Sequence, residues 1–219
     1  MEYSVVIPAF NAQTYLADCI ESVSRQTLPP KEIVCIDDGS TDDTSGVALR
    51  YPHVTLIRQE NRGVSAARNQ GLCVTTSPVI AFCDADDVWA EHKMELQMSQ
   101  ILNGHVASYC GTEEFVSDVS TMDGIRQART YCLPLSSCVV VRRTLIDDVG
   151  LFDEGIFDVE FVEWWTRVIA KRVAVARVDA VLVRRRIHGH NKSRMSYQSP
   201  GEFLDLIRRH RNRLSRNSC

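Results

Sequence analysis

The chain has 219 residues, 44% hydrophobic and 24% charged, which suits one α/β domain able to bury a sizeable core. No run approaches the ~20 apolar residues that a membrane span needs, and "MEYSVVIP" lacks the basic and long apolar regions of a signal peptide. The formal charge of −3 hides an asymmetry: ten Lys/Arg and two acids fall between Val181 and Cys219, leaving 15 basic and 26 acidic residues before them.

In chain order, Tyr3–Ile7 is a short β-branched run that Pro8 is expected to end. Tyr15–Arg25 places Leu16, Ile20 and Val23 at helical spacing. Glu32–Ile36 is a second strand running into Asp37-Asp38-Gly39. Ser40 and Asp43 have capping-box spacing, so a helix is expected to open there. Val54–Arg58 is a third strand, and "GVSAARNQGL" reads as a small-residue helix packed closely on a sheet. Val79–Cys83 is the fourth strand, with a helix over Ala90–Asn103 that Asp87 is placed to cap. Strand and helix alternate in units of about 25 to 30 residues, the pattern of a right-handed, mostly parallel sheet. Such strands are buried on both faces, hence their continuous apolar runs. After Asn103 the rhythm breaks into short strands near Val106–Tyr109 and Val139–Val141 and a helix over Glu160–Ala170, a mixed second half on the same sheet. The eight cysteines include no C-x-x-C pair and read as buried free thiols of a reducing compartment.

Ligands of open α/β sheets bind outside the carboxyl ends of the strands. Three of those ends carry distinctive chemistry: Pro8 to Asn11, Asp37 to Ser40, and Asp84 to Asp87. If the chain stays extended, Asp84 and Asp86 point to one side, and two carboxylates so close repel unless a cation lies near. Oxygen ligands without cysteine or histidine beside them favour Mg²⁺ or Mn²⁺, ions that complete their shell with phosphate and water. Asp-x-Asp alone is a common pattern; the other strand ends strengthen it. Asp37 or Asp38 suits a nucleobase N–H or a ribose hydroxyl, and Arg62 and Arg68 flank a helix N-terminus near Gly63, a place for diphosphate. Together they describe a nucleoside-diphosphate site.

"SVVIPAFN", "CIDDGSTDDT", "QENRGVSAARNQGL" and "AFCDADD", in this order, resemble the inverting family 2 glycosyltransferases. The resemblance implies a GT-A fold, Rossmann-like with a mostly parallel central sheet flanked by helices. It also implies a nucleotide-sugar donor (UDP first), Mn²⁺ or Mg²⁺, and a single displacement at the anomeric carbon. Carried over, Pro8 and Ala9 line the nucleoside pocket and Asp38, with Asp37 beside it, contacts the base. Arg68 lies near the donor, Asp84 with Ala85 reaches the ribose or sugar side, and Asp86 ligates the metal with Asp84 as the second candidate. The implied domain is residues 1–195, a donor half to 103 and an acceptor half after it, followed by a basic tail over 196–219.

An inverting transfer needs a base for the acceptor hydroxyl. The family places it in a Glu-Asp pair after a "G-x-F-D-E" turn. Here "GLFDEG" is followed by "VEFVEWWTRV", so Glu160 matches the Glu while Phe161 stands where the Asp should be. Glu160 is the first candidate base, expected at the crevice mouth with Phe161 turned into the core beside Val162 and Trp165. Glu163, one helical turn on, is the second, and a site without a base is the third reading. Trp164 and Trp165 read as core, with stacking on an acceptor sugar as the alternative. "RRRIHGHNKS" resembles the Arg-x-His-x-x-Asn segment of many such enzymes, making His188 a candidate metal ligand or diphosphate contact; His190 is weaker, and Arg186, Lys192 and Arg194 add charge.

The expected acceptor is a saccharide or lipid-linked sugar, in cell-surface polysaccharide or glycoconjugate synthesis. Phe203–Leu214 has amphipathic spacing and four arginines. It could rest on an anionic membrane surface, on the body, or on a second subunit. The expected location is cytoplasmic, peripheral on the inner face of the membrane, and nucleic acid is not an expected partner. Two rival functions remain: a non-catalytic nucleotide-sugar binder, motivated by Phe161, and a haloacid-dehalogenase-type phosphohydrolase, whose Asp-x-Asp sits on the first strand rather than the fourth.

Overall fold

The computed structural model describes residues 1–116 and 129–189. The basic tail, His190, Lys192 and Arg194 lie outside the described residues. The first half runs β1 (Tyr3–Ala9), α1 (Leu16–Ser24), β2 (Glu32–Asp37), α2 (Thr44–Leu49), β3 (Val54–Arg58), α3 (Val64–Val74), β4 (Val79–Phe82), β5 (Val88–Trp89) and α4 (Lys93–Leu102). The second half adds β6 (Ala107–Val116), β7 (Thr130–Tyr131), a 3₁₀ turn (Ser136–Cys138), β8 (Val139–Arg142), α5 (Arg143–Val149), α6 (Glu160–Ala170) and β9 (Val175–Ile187).

One sheet takes strands of both halves, in the order β3-β2-β1-β4-β8-β6-β9-β5, with β7 on β6. Strands β1 to β4 are parallel, as expected. β8 joins β4 antiparallel, and β9 runs parallel to β6 and antiparallel to β5. Side-chain alternation divides the core. Val5, Ile7 and Ala9 of β1 face α1, α2 and α4, whereas Val6 faces α3, α5 and α6 together with Ile80 and Phe82 of β4. A Cβ at Gly71 would come within 2.3 Å of Val6 Cγ1, so glycine is what lets α3 lie this close to the central strand. Among the described residues, no helix is long and apolar enough to cross a membrane.

Four expectations are corrected by the packing. β1 continues through Pro8 to Ala9. The Val6 carbonyl accepts from Cys83 N–H on the β4 side and the Ala9 carbonyl from Asp38 N–H on the β2 side. Pro8 therefore turns its nitrogen toward the β4 side, past the end of β4, and its missing N–H costs no ladder bond. α2 opens at Thr44, because the Ser40 hydroxyl accepts from Asn11 N–H instead of capping a helix. Asp87 caps nothing: Val88–Trp89 is a strand paired with β9, and α4 starts at Lys93. The arginine-rich segment, given no strand from the sequence, is the end of β9, with Arg184, Arg185 and Arg186 opposite Glu113, Glu114 and Phe115 of β6. Parallel and antiparallel partners supply that strand's regularity; its own alternation is weak.

Candidate active site

The carboxyl ends of β1, β2 and β4 open on one side of the sheet. At the β2 end both carboxylates turn back on their own loop. Asp37 is 1% exposed and accepts from Ser40 N–H at 2.8 Å and from the Ser45 hydroxyl, with Arg58 Nε 3.8 Å away. Burial pushes this carboxyl up, but the bonds from Ser40 and Ser45 and the charge of Arg58 outweigh it and hold it below the ordinary aspartate value. Asp38 accepts from Gln59 Nε2 at 2.7 Å, Arg62 N–H at 3.0 Å and Gly63 N–H at 2.8 Å. It thereby fixes the loop that leads into α3. Gly39, at φ +75°, lets the turn pass against Asn61, whose backbone nitrogen would lie 2.7 Å from an added Cβ.

At the β4 end the chain does not stay extended. Asp87 N–H donates to the Asp84 carbonyl at 3.0 Å, a turn that gives Asp84 and Asp86 different surroundings and corrects the expectation of two parallel carboxylates. Asp84 accepts from Arg68 Nη2 at 2.9 Å and from the Ser136 hydroxyl at 2.6 Å. The other arm of that guanidinium, Nη1, meets Glu160 Oε1 at 2.8 Å. Arg68 is thus clasped between Asp84 and the first candidate base, Glu160. Its carbon lies 5.5 Å from the ring centre of Phe152 and 5.9 Å from that of Phe161. Burial alone would lower the basicity of Arg68, but Asp84 and Glu160 raise it above the ordinary value. The two arginines expected near a diphosphate both face carboxylates in this structure. Arg68 is committed to two carboxylates, and Arg62 pairs with Glu154 at 2.7 Å.

Asp86 meets the end of β9. His188 Nε2 lies 3.1 Å from Asp86 Oδ2, and the imidazole stacks on Tyr15 with ring centres 4.6 Å apart. Arg186 secures this approach: its Nε donates to the Asp86 carbonyl at 3.1 Å and its Nη2 to Asp18 at 2.7 Å. Asp87 accepts from the Ser137 hydroxyl at 2.6 Å and from Arg186 N–H at 3.3 Å. Burial, then the nearby Asp86 and Asp84 charges, push the Asp87 carboxyl well above the ordinary range. An imidazole and a carboxylate are a donor set that Mn²⁺ accepts, and His188 with Asp86 would hold the ion. Asp84 has one oxygen on Arg68 and the other on Ser136.

Glu160 and Glu163 both face inward. The Glu160 side chain is 11% exposed, so it is not at the crevice mouth as expected. Glu163 binds Arg167 Nε at 3.1 Å and Nη2 at 3.0 Å, and Arg167 also donates to the Val149 and Leu151 carbonyls. Phe161 does enter the core, with ring centres of Phe152, Trp164 and Trp165 between 6.0 and 6.3 Å away. Trp164 and Trp165 are core as read, whereas Val162 is exposed and does not hold the helix. Pro8, Ala9 and Ala85 are buried in the crevice floor, and Phe10 is the aromatic side chain left open beside them.

Sequence reading missed Ser136 and Ser137, which bind Asp84 and Asp87 from some fifty residues away. "SSC" carries no spacing signal; only the β4–β8 pairing brings it there. It also missed Tyr15, whose helical position gave no hint of His188.

The family model described as Glycosyl transferase family 2 matches residues 4–135. An uncharacterised glycosyltransferase of Nostoc sp. is 30% identical over 186 residues, 75% of this chain and 56% of that protein. The Escherichia coli UDP-Glc:α-D-GlcNAc-diphosphoundecaprenol β-1,3-glucosyltransferase WfgD is 31% identical over 155 residues, 66% of this chain and 61% of that one. The chain thus spans little more than half the length of these relatives. Staphylococcus aureus TarS in complex with UDP-GlcNAc superposes with a TM-score of 0.76 at 18% identity, over 96% of this chain and 65% of that one, which establishes the GT-A fold. Fold, motifs and family model agree, and the chain belongs to glycosyl transferase family 2.

Proposed function

We propose that this chain transfers a sugar, with inversion, from a UDP-sugar to a saccharide or lipid-linked acceptor in the synthesis of cell-surface polysaccharide or glycoconjugate. The observation that carries the reading is the convergence at one crevice of the Asp84–Arg68–Glu160 clasp and the Asp86–His188 pair. The UDP-sugar choice is supported by the UDP-GlcNAc bound to TarS, and the lipid-linked acceptor by the name of WfgD.

A bound Mn²⁺ or Mg²⁺ would neutralise charge developing on the departing diphosphate. Among the described residues no three acidic, histidine or cysteine side chains form a ready-made cage. That matches ions which take one or two protein ligands and complete their shell from phosphate and water. Asp86 and His188 would hold the metal. Asp38 keeps the loop before α3 in place, and its remaining lone pair suits a uracil N–H. Phe10 offers a face for the base. Asp84, fixed by Arg68 and Ser136, presents its partly exposed edge to ribose or sugar hydroxyls.

The test is UDP affinity by calorimetry with and without Mn²⁺, for wild type and Asp86→Asn. Wild type should bind UDP more tightly with the ion, and at 100 times Kd the ligand should add about 2.7 kcal/mol to stability. Asp86→Asn should keep the fold and lose the Mn²⁺-dependent gain. Equal UDP affinity in both proteins with Mn²⁺ present would overturn the metal assignment. A second reading, a nucleotide-sugar binder without turnover, is favoured by Phe161 at the Asp position of the family's Glu-Asp pair. UDP binding without release of UDP from any UDP-sugar would support it.

A further inference from the structure

We infer that Asp158 takes the proton from the acceptor, an assignment that rests on the transferase reading above. Neither Glu160 nor Glu163 is well placed to do so. Glu160 is buried against a guanidinium that does not deprotonate, 2.8 Å away. Protonating it would leave a buried Arg68 facing a neutral acid, at the cost of an ion pair in a low-dielectric site. Glu163 is held the same way by Arg167. Phe161, in the aromatic core, has no group to offer.

Asp158 differs on each count. It is solvent-exposed, and among the described residues its carboxylate has no hydrogen bond or ion pair. It lines a groove with Arg62, Gly63, Ser65, Glu154 and Phe157. Ser65, 3% exposed, has an Oγ with no hydrogen-bond partner, so this groove holds a buried polar atom that protein contacts leave unsatisfied. A hydroxyl-rich or phosphorylated ligand would satisfy it. Distance also fits. Glu160 reaches Asp84 through a single guanidinium, and Asp158 is two residues from Glu160, at most about 7 Å along the backbone. The groove and the clasp also share their elements: Ser65 lies one helical turn before Arg68 on α3, and Asp158 just before Glu160, the first residue of α6. Asp158 has φ +65°, in the left-handed region that Asp and Asn adopt more readily than most side chains.

In the proposed step the acceptor O–H proton passes to the Asp158 carboxylate while the oxygen lone pair bonds the anomeric carbon. The bond from that carbon to the diphosphate oxygen breaks, its electron pair leaving on the phosphate. One proton and one sugar change hands, and no redox partner is needed.

The experiment is UDP release from UDP-glucose and UDP-N-acetylglucosamine in Mn²⁺, with water as acceptor and then with sodium azide, for wild type and Asp158→Asn. Asparagine tolerates φ > 0, so the variant should fold and bind UDP with unchanged Kd. Release to water should fall by about 10²–10⁴-fold, as for loss of a general base. Azide carries no proton to remove, so it should restore release in the variant and yield the glycosyl azide. Water-dependent release at the wild-type rate, or a loss that azide does not restore, would overturn the assignment. Failure of wild type to bind UDP at all would instead sink the transferase reading on which it rests.

Discussion

The acid-rich ends of β2 and β4 look alike in the sequence and behave differently in the fold. At the β2 end, Asp37 and Asp38 are satisfied by groups between Ser40 and Gly63, three of them backbone N–H donors. At the β4 end, Asp84, Asp86 and Asp87 reach Arg68, Ser136, Ser137 and His188, and through Arg68 they reach Glu160. The first cluster shapes a loop. The second ties the parallel half of the sheet to the mixed half, and its partners are side chains that a ligand can displace or share. Carboxylates spent on backbone hold geometry, while those spent on distant side chains are where binding can be coupled to chemistry.

The largest expected effect breaks the second cluster. Arg68→Met leaves Glu160 and Asp84 without their counter-ion and should cost about 3–5 kcal/mol in urea unfolding, the range for a buried pair that loses one member. Adding Glu160→Gln should recover part of that loss. A cost below about 1 kcal/mol would mean that solvent already screens the clasp.

Breaking the first cluster should be milder and local. Asp38→Ala orphans the Arg62 and Gly63 N–H groups and should cost about 1–3 kcal/mol. Amide exchange should speed up at Arg62 and Gly63 and stay unchanged in α6. Faster exchange throughout α6 would show that the two clusters are coupled after all.

The smallest effect is one of pH. Asp37 has a folded pKa below its ordinary value, so its stabilisation is present above about pH 3.9 and is lost as pH falls through the lower folded value. Asp37→Asn should therefore be less stable than wild type near neutrality, and the gap in urea midpoint should close as the solution is acidified. A gap that widens in acid would reverse the sign and place the carboxyl above its ordinary range.

Much of the fold was legible because it is written locally. Leu16, Ile20 and Val23 at helical spacing, the apolar runs of β1 to β4, and the whole of Glu160–Ala170 needed no distant information. The misreadings fall where a partner decides. Ser40 had cap spacing but gave its hydroxyl to Asn11, Asp87 preceded a helix but was taken by Ser137 and Arg186, and β9 became regular only between β6 and β5.

The site divides along the same line. From residue types and order alone, the chain determined that carboxylates and arginines gather at strand ends and that Phe161 cannot be a base; the family resemblance added His188 as a candidate. Which carboxylate faces which cation was decided only by tertiary structure. Arg68 and Glu160 are 92 residues apart, His188 and Asp86 are 102, and only the packing of α3 and α6 on the sheet and the order of its strands bring them to bonding distance. Local spacing encodes backbone conformation because those forces act between near neighbours. Charge pairing acts through space, and the chain's own order carries no measure of that distance.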